Sequence, residues 1–182
     1  LKKKLGNVKA IVDVGANQGV FVIAARQFFP EAKIDCYEPN PQLADTLNFN
    51  AAQLNATPYL EAVMQYDCKV NLHFTESDLA TTASKSDTGN VIGSSLATVI
   101  KRIGKIDILK LDCEGAEWGL LEDNENWKQV KSLSMEYHLW GKEGAKIEHL
   151  FTLLDSIHFE LMHHTIYNSQ QGLIVAINKS LL

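Results

Sequence analysis

Phe159–Asn178 reads F-E-L-M-H-H-T-I-Y-N-S-Q-Q-G-L-I-V-A-I-N. Phe159–Ile166 and Leu173–Asn178 both have strand composition, and only Tyr167–Gly172 lies between them. A parallel crossover needs about a dozen residues or more, so this pair is an antiparallel hairpin. Upstream, strand patterns at Ala10–Val14, Lys33–Tyr37, Pro58–Val63, Ile106–Asp112 and Val130–His138 alternate with helical ones. The helices are Val20–Phe29, a segment from Pro41 to Asn55, Leu96–Ile103, Ala116–Leu121, and a stripe of Ile147, Leu150, Phe151, Leu153 and Leu154. Alternation of this kind gives an α/β fold with a mostly parallel sheet and helices on both faces. The hairpin closes it at seven strands.

The first strand runs straight into Gly15-Ala16-Asn17-Gln18-Gly19 and then into a helix. Strand, glycine turn and helix N-terminus together make a cradle for an anionic or nucleotide-like ligand. Asn17 replaces the middle glycine of G-x-G-x-x-G and can still take a left-handed backbone. Asp13 lies inside the strand, and the plain reading gives it hydrogen bonds to the turn's own N–H groups. About twenty residues on, the second strand ends in Glu38-Pro39-Asn40-Pro41. An acid there grips ribose hydroxyls in parallel α/β folds. Asn40 suits a helix cap and Pro41 a first helical residue. The end of the third strand faces the adenine side of a nucleotide, where Ala62 and Val63 form an apolar wall.

The fourth strand puts Ile108, Lys110 and Asp112 on one face. A lysine there needs a carboxylate, and Asp112 is the nearest candidate in sequence. Cys113-Glu114-Gly115-Ala116-Glu117 opens the next helix, whose first turn favours acids on dipole grounds alone. In the fifth strand Glu136 and His138 share a face, and Trp140–Gly144 follows as a loop with an aromatic wall. Lys69–Glu76 reads as an edge strand or hairpin arm. Ser77–Ser95, polar and rich in Ser, Thr and Asp, reads as a flap over the site.

The 182 residues form one domain, to which an N-terminal segment would be added. The run Lys2–Lys4 is not the start of a signal peptide, because Asp13, Asn17 and Gln18 interrupt the apolar stretch. A net charge of −5 argues against nucleic acid as partner, and no apolar run approaches a membrane span. Cys36, Cys68 and Cys113 are scattered, which suits a reducing, cytoplasmic setting and offers no metal framework.

Asp13–Gly19 (D-V-G-A-N-Q-G), Tyr37–Pro41 (Y-E-P-N-P) and Leu109–Glu117 (L-K-L-D-C-E-G-A-E), in that order and spacing, resemble the FkbM family of class I methyltransferases. The third motif is the specific one. The resemblance implies a Rossmann-like fold, S-adenosylmethionine as cofactor, and methyl transfer to a hydroxyl of a sugar or other small metabolite. It implies that Asp13, Gly15, Ala16, Asn17 and Gly19 border the methionine end of the cofactor. Glu38, with Pro39 and Asn40, would hold the ribose, and Asp112 with Glu114 would sit where the cofactor's amino group meets the acceptor. The chain departs from the family at Ser95-Leu96-Ala97-Thr98, where Ala97 stands in place of an acid.

An alcohol acceptor needs a base. His138 is the first choice, oriented by Glu136 or Asp112. Lys110 is the second, because burial lowers a lysine pKa, and Glu114 the third. No metal is expected, although Asp112, Glu136 and His138 are the residues able to hold magnesium or manganese. Two other functions fit the same motifs: a cofactor-binding module without turnover, and methylation of nitrogen or a macromolecule. A second subunit would close an open acceptor face.

Overall fold

The structure is a computed structural model that describes residues 5–74, 81–123 and 125–181. Lys2–Lys4, the last two residues of the Lys69–Glu76 strand and Ser77–Ala80 of the expected flap lie outside the described residues.

Strands β1 (Ala10–Val14), β2 (Lys33–Tyr37) and β3 (Thr57–Tyr59) join β8 (Ile108–Leu111), β9 (Ser132–His138), β10 (Phe159–Ile166) and β11 (Gln171–Asn178) in a seven-stranded sheet. Its order is β10-β11-β9-β8-β1-β2-β3. β11 runs antiparallel to both neighbours, and the other pairs are parallel. The hairpin is thus as expected from the short Tyr167–Gly172 connection. β1 and β8 are adjacent, and the chain leaves them in opposite directions along the sheet. In open α/β sheets such a switch point is where ligands bind.

Two apolar layers cover the sheet. On one face Ile11, Ile34 and Cys36 pack under helices α1 (Val20–Phe28) and α2 (Ala44–Gln53), which contribute Val22, Ala25, Leu47 and Ala51. On the other, Val12, Leu109, Leu111 and Met135 pack against α3 (Leu96–Ile103), α4 (Glu117–Leu121) and α5 (Ile147–Ser156). Strand residues alternate between the layers, which is why the buried runs are apolar throughout. Asn40 does cap: its Oδ1 accepts from the Gln42 N–H at 2.9 Å and starts a 3-10 turn, Pro41–Leu43, that leads into α2.

Two expectations are corrected. The Pro58–Val63 strand is broken at Leu60: β3 ends at Tyr59, and β4 (Glu61–Met64) belongs to a second sheet. The expected flap is not a loop where it is described. Thr81–Lys85 and Val91–Ser95 are strands β6 and β7, which join β4 and β5 (Cys68–Phe74) in the order β4-β7-β5-β6. Their polar composition misled because this small sheet exposes much of its surface. Only Gly93, Ser94 and Ser95 of these two strands are buried. Near Ala97 an acid comes from elsewhere in the chain. Asp67 accepts from the Ser95 N–H at 2.6 Å and the Thr98 hydroxyl at 2.8 Å, at the start of α3. The Ser95 hydrogen bond is the main reason its carboxyl is held below the usual range.

Candidate functional site

The glycine turn is built by close approach. Gly15 has φ +71°, and a Cβ there would lie 1.7 Å from the Asp112 carbonyl oxygen. Only glycine lets the ends of β1 and β8 meet so closely. The Gly15 and Ala16 N–H groups both donate to the Tyr37 carbonyl at 3.0 Å, tying the turn to the end of β2. Asn17 does take the left-handed conformation, with φ 50°. Its N–H donates to Glu38 Oε2 at 2.9 Å, while Glu38 Oε1 accepts from the Asn40 N–H at 2.9 Å. Glu38 therefore bridges the two motif loops, and each oxygen keeps a lone pair for a further donor. Burial pushes its carboxyl up, against the two N–H bonds.

An open cleft lies at this switch point. Of the expected cofactor residues, Gly15, Asn17, Glu38, Pro39, Ala62, Val63 and Asp112 line it. Asp13, Ala16 and Asn40 are buried and absent from the lining, as is Gly19, so they can serve the site as support. Thr81 and Ala83 of β6 also line the cleft, and the Asn40 amide donates to the Thr81 hydroxyl at 3.3 Å. The stretch read as a flap thus borders the site, as part of a sheet.

Asp13 does not bond the turn's N–H groups. It faces Lys110 across the β1–β8 register, with Nζ 3.2 Å from Oδ1. Asp112, the partner expected from sequence, is farther, at 3.5 Å. The Lys110 ammonium also donates to the Gly15 carbonyl at 2.7 Å and the Val14 carbonyl at 3.3 Å. Burial acts to lower its pKa, but Asp13 and Asp112 outweigh it and raise the value. Lys110 is therefore a fixed cation that braces the turn and is unsuited to act as a base.

The acidic end of the cleft is organised by a residue that the sequence pointed to only as a helix-start acid. Glu117 is fully buried. Its Oε1 accepts from the Cys113 N–H at 2.9 Å, and its Oε2 from the Gly115 N–H at 2.8 Å. Oε1 also lies 3.0 Å from His138 Nδ1. Glu117, and neither Glu136 nor Asp112, orients the imidazole. As a carboxylate Glu117 can only accept, so Nδ1 is the donor, and Nε2 faces Glu114 and Glu136. Nε2 stands 3.7 Å from Glu114 Oε2 and 3.8 Å from Glu136 Oε1. Burial would lower the His138 pKa, but Glu117, Glu114 and Asp112 raise it. Burial raises both Glu114 and Glu136. Glu114 and Gly115 have φ 53° and 102°, and Gly115 lies so close to Gly141 that neither position has room for a Cβ. Trp140, half exposed, tilts over the imidazole with ring centroids 4.6 Å apart.

The fold and the switch-point cleft are those of a class I methyltransferase. The Methyltransferase FkbM domain matches residues 13–162, and the chain belongs to the FkbM methyltransferase family. It is 27% identical over 183 residues to methyltransferase sdnD of Sordaria araneosa, a match covering 75% of this chain and 68% of that protein. Its fold is similar to that of methyltransferase FkbM from Methylobacillus flagellatus, with TM-score 0.60 and 14% identity, over 93% of this chain and 44% of that one. It also resembles Mycoplasma capricolum TrmK in complex with S-adenosyl-homocysteine, with TM-score 0.60 and 13% identity, over 98% of this chain and 69% of that one. No helix among the described residues is long and apolar enough to cross a membrane.

Proposed function

We propose that this protein transfers a methyl group from S-adenosylmethionine to a hydroxyl of a small acceptor. The observation that carries the reading is the cleft at the β1–β8 switch point, lined by Glu38 and by Asp112 and Glu114, with His138 and Glu136 next to Glu114 but outside the lining. The residues fit the cofactor. Glu38 has free lone pairs for ribose hydroxyls. Ala62 and Val63 offer an apolar wall to adenine, and the Gly15–Gly19 turn brings bare backbone to the methionine end. S-adenosylmethionine supplies a methyl on a positively charged sulfonium, which acids nearby favour by charge.

What remains for the protein is mainly placement. Holding the acceptor oxygen in line with the methyl carbon makes the step effectively unimolecular. Asp112, Glu114, Glu136 and His138 hold the acceptor hydroxyl and receive its proton, and Trp140 walls the acceptor side. The test is calorimetric titration with S-adenosylhomocysteine, for the wild type and Glu38→Ala. Binding that weakens tenfold or more in the variant is expected. Transfer of labelled methyl from S-adenosylmethionine is then compared across hydroxyl-bearing and amine-bearing acceptors. A folded protein that binds no S-adenosylhomocysteine, or that methylates only amines, refutes the proposal.

A further inference from the structure

We propose that Asp112, Glu114 and His138 form a binding site for one divalent cation of the manganese type. Three observations carry this. First, the carboxylate oxygens of Asp112 and Glu114 and a ring nitrogen of His138 all lie within 4.8 Å of one another. Around an ion with bonds of about 2.1 Å, neighbouring ligand atoms stand about 3 Å apart and opposite ones about 4.2 Å. The 3.7 Å between Nε2 and Glu114 Oε2 falls inside that range. Closing the rest asks only for rotation of two carboxylates that are 33% and 23% exposed.

Second, His138 Nε2 is buried and makes no hydrogen bond among the described residues, although it points at acids. The two carboxylates stand at 3.7 and 3.8 Å, too far to hydrogen-bond Nε2. Third, the imidazole already has the support that metal-bound histidines have: its Nδ1 is held by a buried carboxylate, Glu117, at 3.0 Å. The left-handed backbone of Glu114, φ 53°, is pinned by the same Glu117 through Gly115.

Charge points the same way. Asp112, Glu114, Glu117 and Glu136 surround one imidazole, and the Lys110 ammonium, 3.5 Å from Asp112, is closer to Asp13 at 3.2 Å and to the Gly15 carbonyl at 2.7 Å. Two carboxylates and one imidazole with open positions suit a hard divalent ion that tolerates nitrogen, hence manganese over calcium. From sequence no metal is expected, and Asp112, Glu136 and His138 are the residues able to hold one; in the structure the residues that come together are Asp112, Glu114 and His138. A cation here would face the acceptor end of the cleft and could bind a hydroxyl directly, but the site itself does not depend on what the acceptor is.

The experiment is titration of the purified chain with Mn²⁺, following the loss of the free-ion paramagnetic resonance signal. One ion per chain is expected, with affinity at least tenfold weaker in Glu114→Gln and in His138→Ala. Glu114→Gln alters a partly exposed side chain and keeps the test sound if His138→Ala fails to fold. Glu136→Gln should change Mn²⁺ affinity less than threefold. The proposal is overturned if the folded wild type binds no Mn²⁺ at millimolar concentration, or if binding is the same in Glu114→Gln as in wild type. A Glu136→Gln effect larger than that of Glu114→Gln would also overturn it. Calorimetry with S-adenosylhomocysteine on the same samples separates the two proposals. Cofactor binding without Mn²⁺ rejects the cation alone, and Mn²⁺ binding without the cofactor rejects the methyl-transfer reading alone.

Discussion

Replacing Lys110 by methionine removes the ammonium that faces Asp13 and leaves a fully buried carboxyl beside an apolar chain. Removing one partner of a buried pair costs about 3–5 kcal/mol. A separate route gives a bound on that cost. The stranded Asp13 can escape by taking up a proton. With an ordinary unfolded carboxyl, that proton costs about 4 kcal/mol at pH 7 but only about 1.5 kcal/mol at pH 5. The two estimates agree at neutral pH, and the second makes a sharper claim. Burial already raises the Asp13 carboxyl in the wild type, so the deficit of Lys110→Met should shrink by at most about 1.4 kcal/mol for each pH unit between 7 and 5. Adding Asp13→Asn should recover most of it and abolish the pH dependence. Urea unfolding followed by fluorescence of the buried Trp118 and Trp127 measures this directly. At pH 7 the single variant should also melt about 8–16 °C lower. A loss below about 1 kcal/mol at pH 7, or an equal loss at both pH values, would refute the claim that this pair braces the glycine turn.

Three further outcomes follow from the geometry. Gly15→Ala forces a methyl into the Asp112 carbonyl, so it should destabilise by about 3 kcal/mol or more and remove S-adenosylhomocysteine binding; near-wild-type stability in urea would contradict the close approach of β1 and β8. Glu117→Gln cannot accept from both Cys113 and Gly115, so it should cost about 1–3 kcal/mol and speed hydrogen exchange at the Gly115 amide; unchanged exchange there would be evidence against the keystone role. Asp35 is buried, and burial raises its carboxyl despite Lys33 at 3.6 Å. The folded state then holds that proton more tightly than the unfolded chain, so Asp35 lowers stability as pH rises from the usual carboxylate range through its raised value. Asp35→Asn should gain stability relative to wild type between pH 4 and pH 8, and a constant difference across that range would count against it.

Much of this protein was legible before any coordinates. Periodicity gave the core strands and the main helices to within a few residues, because each is set by local burial pattern, except the third strand, which breaks at Leu60. The six-residue connection before Leu173 forced an antiparallel end, because covalent reach leaves no alternative. The glycine turn was legible because its backbone demands restrict residue type, as Asn17 at φ 50° bears out.

Other features had no local signal. Thr81–Lys85 and Val91–Ser95 are strands only because β4 and β5 supply partners, and an exposed small sheet carries no apolar alternation. The partner of Lys110 is 97 positions away in sequence, on a strand whose place beside β8 is a matter of topology. Glu117 looked like any acid at a helix start. Its meeting with His138, 21 positions on, exists only once β8 and β9 lie side by side. The sequence by itself determined the elements of the main sheet, their order and the cofactor motifs, because these depend on neighbours along the chain. The tertiary structure alone decided which charges meet, because ion pairs and imidazole orientation depend on strand register, and register is a property of the folded sheet.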